Sequence, residues 1–280
     1  MASETIRHGR ATVELIQGDA LVVLATQDPA SVDAVVTSPP YNLGIDYASY
    51  DDAISRRDYL AWTRRWVEAV QRVLSPSGSL FLNVAGKPKD PWVPFEVAQV
   101  CRDLGLVLQN TIHWVKSITV EKDGEPLSVG HYKPINSGRF LNDCVEFVFH
   151  FTPAGDVPLD RLAIGVPYQD KSNVSRWKGA ARDVHCRGNA WFVPYATIQS
   201  RDKERPHPAS FPPRLARMAL ELHGVERIGR TLDPFSGIGS TALACLDLGV
   251  DHVGIELDPG YHREAVRRCR EKASEPFPGT

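Results

Sequence analysis

No apolar run in this 280-residue chain approaches the roughly 18 to 20 residues that span a bilayer, and none of its five cysteines forms a C-x-x-C pair. The first absence argues against a helical membrane protein or a membrane partner. The second leaves Cys101, Cys144, Cys186, Cys245 and Cys269 odd in number and far apart, which suits a reducing compartment and argues against a disulfide framework. A set of Cys144, His150, His185 and Cys186 can be drawn, but its spacing matches no metal motif, and no metal is expected. The amino terminus, MASETIRHGR, lacks the apolar centre of a secretory signal. A basic excess is missing too: 32 Lys and Arg face 34 Asp and Glu, for a net charge of −2. Such a chain does not coat a polyanion by bulk attraction, although a local basic groove stays open. Internal repeats are absent, as is any low-complexity tract beyond the polar tail, Ala273 to Thr280. With 42% hydrophobic and 24% charged residues, the expectation is a cytoplasmic globular protein with a full-sized core.

What is present falls into three textures. From Ala11 to about Val115, the runs TVELI, VDAVVT and GSLFLNV predict strands, and RRDYLAWTRRWVEAVQRVL repeats apolar residues at helical spacing. Tyr59, Trp62, Trp66, Val70 and Val73 then share one face, expected to pack on a sheet, with Gly78 ending the helix. From about Ser117 to Arg205 the regularity breaks at EKDGEP, VGHYKPINSG and TPAGDVP, leaving one clear strand candidate, CVEFVFHF. Within this stretch Lys171, Arg176, Lys178, Arg182 and Arg187 surround Trp177, against one acid, Asp183. Cations interleaved with a ring suit phosphates and bases, and an ordinary solvated loop reads the same way. From about Phe211 the α/β texture returns: FPPRLARMALELHG, GSTALACLDLG and DPGYHREAVRRCREK predict helices, RTLDPF and HVGIEL strands. One parallel sheet built from residues 1–116 and 206–280, with 117–205 inserted between them, is the expected organisation.

Gly237, Gly239 and Ala242 stand in a G-x-G-x-x-A spacing between a predicted strand and helix, and Glu256 ends the next strand. Glycines allow a tight turn and let a ligand approach backbone N–H groups at a helix start, and an acid about twenty residues on suits ribose hydroxyls. Taken alone, the loop serves a nicotinamide or an adenosyl group equally. Asp233 and Pro234 precede it directly, and Phe235 is placed to cover a ligand; Asp233 also reads as a plain helix cap. A dehydrogenase would further need a hydride-transfer site, and it would leave another stretch, VVTSPPYNLG from Val35 to Gly44, without a purpose. There an apolar run is cut off by two prolines, whose locked φ and missing N–H stiffen a loop and leave carbonyls pointing outward.

Ser38-Pro39-Pro40-Tyr41 and Phe235-Ser236-Gly237-Ile238-Gly239 resemble the [DNS]PP[YFW] and F-x-G-x-G motifs of the amino-group DNA methyltransferases. The order, catalytic motif first and glycine loop near the carboxyl end, is similar to the circularly permuted β group of that family. IQGDAL, RPHPASFPPRLARMAL and HVGIELDPGY also match, so the resemblance covers all but Ser117 to Arg205. It implies a Rossmann-like α/β sheet, S-adenosylmethionine as cofactor, and 117–205 as a target-recognition region. Cofactor residues would be Asp19, His207, Ser210, Phe211, Asp233, Phe235, Ser236, Gly237, Gly239, Ser240, Thr241 and Glu256. Lys171, Arg176, Trp177, Lys178, Arg182 and Arg187 would contact nucleic acid. Ser38 Oγ and the Pro39 carbonyl would accept hydrogens from the base amino group, whose lone pair is otherwise delocalised into its ring, while Tyr41 stacks on a flipped base. No cysteine flanks the motif, which argues against cytosine C5 chemistry. Within the family a serine at the first motif position tilts the target toward cytosine N4, with adenine N6 the alternative and RNA or protein glutamine more remote. A DNA-binding module without activity is the reading from another class. Double-stranded DNA, a restriction endonuclease and a second copy of the chain are the partners implied.

Overall fold

The computed structural model describes residues 2–42, 44, 53–130, 135–175, 183–194 and 210–277. In chain order the elements are β1 (Ala2–His8), β2 (Ala11–Gln17), α1 (Ala20–Thr26), β3 (Val32–Thr37), α2 (Arg56–Val73), β4 (Leu74–Val84) and α3 (Val93–Asp103). Then follow β5 (Val107–Val115), the hairpin β6 (Ser117–Lys122) and β7 (Glu125–Gly130), β8 (Val145–Thr152) and β9 (Ala190–Phe192). The last part holds α4 (Pro213–His223), β10 (Arg230–Asp233), α5 (Ser240–Leu248), β11 (Asp251–Glu256) and α6 (Pro259–Ala273).

A nine-stranded sheet runs β1-β2-β11-β10-β3-β4-β8-β5-β9. Strands β2, β11, β10, β3 and β4 are mutually parallel, so strands from the two ends of the chain interleave at the centre as expected. β8 is antiparallel to both its neighbours, and β1 closes the far edge antiparallel to β2. Side-chain alternation sorts the two faces. Ala34, Val36, Phe81 and Val148 join α4, α5 and α6 in one core, whereas Val35, Leu80, Leu82 and Phe149 join α1, α2 and α3 in the other. Strands covered on both faces read as near-continuous apolar runs, which is why VDAVV and SLFLNV were recognisable.

Two expectations need correction. Residues 117–205 are not one inserted body, because β8 lies inside the sheet, paired with β4 through Leu80↔Phe151 to Val84↔Phe147 and with β5 on its other side, and β9 extends the same sheet. Aromatic alternation gives β8 two buried faces that only a central position satisfies. Nor does Gly78 end α2. The helix stops at Val73 and β4 begins at Leu74, with the Ser75-Pro76-Ser77-Gly78 turn absorbed as an irregularity between the Val32↔Leu74 and Ala34↔Ser79 pairs. His150, weighed as a metal ligand, lies buried between Asn110 Nδ2 at 3.0 Å and Ser79 Oγ at 2.9 Å.

Candidate active site

Strands β3 and β10 are parallel neighbours, and the chain leaves them in opposite directions, toward β4 on one side and β11 on the other. In an open α/β sheet this divergence leaves a crevice at the carboxyl ends of the strands. Ser38 to Tyr41 follow β3, the glycine loop follows β10, and both line one cavity of about 1260 Å³, mouth included. The two strand ends are clasped from below: Thr37 Oγ1 donates to Asp233 Oδ1 at 2.7 Å, and Thr241 Oγ1 donates to Asp233 Oδ2 at 2.8 Å. Burial pushes the Asp233 carboxyl up to about 6, with these hydrogen bonds opposing it. Asp233 therefore stands beneath the loops, where it fixes their spacing, and not on the cavity wall where a ligand contact would place it.

Gly237 and Gly239 adopt φ of 52° and 80°, the left-handed region that a side chain disfavours, and Gly239 caps α5. A Cβ at Gly239 would sit 3.2 Å from Ala265 Cβ, so the second glycine serves helix packing as well as the turn. Across the cavity mouth Glu256 Oε2 accepts the Gly237 N–H at 2.7 Å and Oε1 accepts the Asp258 N–H at 2.8 Å. Burial pushes this carboxyl up to about 7, the two backbone N–H groups pulling against it. Asp19 caps α1 by accepting from Leu21 and Val22, and the Gly18 N–H bond to the Glu256 carbonyl at 2.9 Å brings it to the same wall.

Ser210, Phe211, Phe235, Ser236 and Ser240 also line the cavity, and Ser240 Oγ donates to the Phe211 carbonyl at 2.6 Å. Thr241 is fully buried behind them, its hydroxyl directed to Val36 O and Asp233. Trp62 and Trp66, expected only to pack on the sheet, each lie 5.4 Å from the Phe235 ring and wall the cavity with it. His207 lies outside the described residues.

On the opposite side, Tyr59 donates its hydroxyl to the Pro40 carbonyl at 3.1 Å and so pins the proline loop. Tyr41 is only 8% exposed, and its hydroxyl is drawn into a polar cluster that the motif alone did not announce. Asn83 Nδ2 donates its two hydrogens to that hydroxyl at 2.7 Å and to Glu146 Oε2 at 2.9 Å, and lies 3.3 Å from Ser38 Oγ. Glu146, 8% exposed, is paired through Oε1 with Lys116 Nζ at 3.0 Å. Asn83 near the end of β4 and Glu146 at the start of β8 escaped the sequence reading. The available signals were Asn83 ending an apolar strand and Glu146 as the single acid among the aromatics of CVEFVFHF.

The expected basic surface is only partly visible. Lys171 is ion-paired with Asp183, and Arg187 Nε donates to the Ile164 carbonyl at 2.9 Å. Arg176, Trp177, Lys178 and Arg182 lie outside the described residues. No helix among the described residues is long and apolar enough to cross a membrane.

Comparisons with known proteins bear on the fold and the family. The chain is 27% identical over 268 residues to the type II methyltransferase M.HpaI of Haemophilus parainfluenzae, covering 95% of this chain and 75% of that protein. Its fold is similar to that of TTHA0409 from Thermus thermophilus, complexed with S-adenosyl-L-methionine, with TM-score 0.61, 24% identity and coverage of 95% and 98% of the two chains. It is similar as well to the cytosine-N4-specific PvuII DNA methyltransferase, with TM-score 0.65, 16% identity and coverage of 96% and 95%. The DNA methylase family model (N6_N4_Mtase) matches residues 32–267, and the chain belongs to that family.

Proposed function

We propose that this protein moves a methyl group from S-adenosylmethionine to the exocyclic amino nitrogen of a flipped base in double-stranded DNA, cytosine N4, as the modification enzyme of a type II restriction system. One observation carries the reading: the proline loop after Thr37 and the glycine loop after Asp233, far apart in sequence, open on the same cavity. That order, with the amino-acceptor loop before the glycine loop, supports membership of the permuted β group.

The residues present fit the cofactor. Gly237 and Gly239 leave room for a close approach to backbone, Trp62, Trp66 and Phe235 form an aromatic wall, and Ser236 Oγ is buried without a hydrogen-bond partner among the described residues. Glu256 and Asp19 would hold the ribose and adenine side, Ser210, Phe211 and Ser240 the methionine side. When bound, S-adenosylmethionine supplies an electrophilic methyl on a sulfonium. Ser38 Oγ and the Pro39 carbonyl would accept the amino hydrogens and turn the nitrogen lone pair toward the methyl, acceptors set in advance and needing no reorganisation. The ring of Tyr41 would stack on the base, and residues 171–187 and the β6–β7 hairpin would contact the duplex. A cognate endonuclease and a cytoplasmic location follow from the same reading.

Transfer of labelled methyl to unmodified genomic DNA, followed by nucleoside mass spectrometry, tests it. N4-methylcytosine is the expected product. N6-methyladenine would discard the base assignment alone, and no labelled nucleoside, with cofactor binding confirmed, would refute the DNA reading.

A further inference from the structure

Four segments meet beside the proline loop: Ser38 and Tyr41 from the loop itself, Asn83 from β4, Lys116 after β5, and Glu146 from β8. Their contacts form a directed chain. Glu146 is a carboxylate and only accepts, taking hydrogens from Lys116 and Asn83 and lying 3.4 Å from the Tyr41 hydroxyl. Tyr41 in turn lies 2.5 Å from Ser38 Oγ. Either hydroxyl can donate in the Ser38–Tyr41 contact; in the arrangement in which Tyr41 donates to the obligate acceptor Glu146, Ser38 donates to Tyr41 and its Oγ presents a lone pair to the cavity. The Asn83 amide is oriented by the same carboxylate, since its oxygen could not face Glu146.

A buried ion pair is a poor device for stability, because desolvation offsets most of its attraction. Its position is better explained by the reaction. Methylation of an amino nitrogen leaves that nitrogen with a positive charge and one hydrogen too many, and the motif residues alone offer no group that keeps a proton.

We propose, resting on the methyl-transfer reading above, that Glu146, held in place by Lys116, is the terminal proton acceptor for the reaction and reaches the base through the hydroxyls of Tyr41 and Ser38. As the nitrogen–carbon bond forms and the sulfur–carbon bond breaks, the amino nitrogen gives its surplus proton to Ser38 Oγ. Ser38 passes its own hydrogen to Tyr41 Oη, and Tyr41 passes its hydrogen to Glu146 Oε2. Both hydroxyls are regenerated, Glu146 ends as the neutral acid, and the proton later leaves to solvent. Among the described residues, Lys116, Asp143 and Tyr41 are the titratable groups that face Glu146; Asp143 is pushed up by burial first, with Lys116 lowering it and Glu146 raising it.

The test compares wild type, Glu146→Gln, Tyr41→Phe and the double variant Glu146→Gln/Lys116→Met, which removes the lysine that the single change would strand. In the ligand-free protein, the infrared difference spectrum between wild type and a Glu146→Gln variant should carry an ionised-carboxylate band at neutral pH; a neutral-acid carbonyl band there overturns the proposal. Single-turnover methyl transfer should fall about 100-fold in each variant, the scale of general-base catalysis, with cofactor Kd within about threefold of wild type. The acid limb of the wild-type pH–rate profile should flatten in both Glu146 variants. Tyr41→Phe keeps the ion pair, so its loss of rate does not depend on the others folding. Undiminished transfer by Tyr41→Phe, or unchanged rates and pH profile in the Glu146 variants, overturns this proposal alone. Absence of transfer by the wild-type protein overturns the methyl-transfer reading and this step with it.

Discussion

Glu256→Gln is the substitution whose effect can be worked most directly from the structure. The carboxylate is held by two backbone N–H groups, from Gly237 and Asp258, yet burial still pushes it up to about 7. A carboxylate has about four lone-pair sites, so two bonds leave room for ribose hydroxyls. Those hydroxyls need an acceptor, so cofactor binding should favour the ionised form. With a midpoint near 7, about one molecule in eleven is ionised at pH 6 and about ten in eleven at pH 8, and the wild-type Kd should rise about tenfold between pH 8 and pH 6, or about 1.4 kcal/mol. Glu256→Gln removes a charged acceptor, which should weaken binding at pH 8 by about 1.5 to 3 kcal/mol and remove this pH dependence. Titration calorimetry with S-adenosylhomocysteine on both proteins, read as their difference at each pH, cancels ionisation of the ligand itself. A difference that stays constant from pH 6 to pH 8, or no weakening at all, would refute the ribose assignment and the pH argument together.

Ser38→Ala should cut single-turnover methyl transfer by about 100-fold or more while leaving cofactor Kd nearly unchanged; near-normal turnover would remove the motif from the chemistry. Asp233→Ala strands the buried Thr37 hydroxyl and leaves Thr241 only the Val36 carbonyl at 3.2 Å, and it should cost about 1 to 3 kcal/mol in urea unfolding; a loss under about 0.5 kcal/mol would contradict the clasp between β3 and β10. Burial lowers His150 and His252 to about 3 and His223 to about 4. Depressed values mean that their contribution is present above the unfolded value of 6.5 and lost as pH falls toward the folded one, about 2 kcal/mol each by pH 5 as an upper bound; imidazole NMR titrations with midpoints near 6.5 would refute this. Charge reversal at Arg176 and Lys178 should weaken DNA binding and lower the slope of affinity against salt, and an unaltered slope would return these residues to ordinary surface.

Much of this protein was legible in the sequence because its signals are local. The β3 run and the second half of β4 are apolar on both faces, α2 and α6 repeat at helical spacing, and proline and glycine mark both functional loops through backbone constraints that act within a few residues. Tertiary structure decided what distance along the chain conceals. The strand β8 reads like any aromatic strand, and only its pairing with β4 and β5 places it inside the sheet. Asp233 has the same local signature as a ligand contact, and only the approach of Thr37 and Thr241 turns it inward. Lys116 and Glu146 are separated by the β6–β7 hairpin, and Asn83 and Tyr41 by the whole of α2; each is chemically ordinary in its own segment. Hydrogen-bond partners are chosen by proximity in space, so a polar cluster assembled from four segments exists only after the sheet has brought them together.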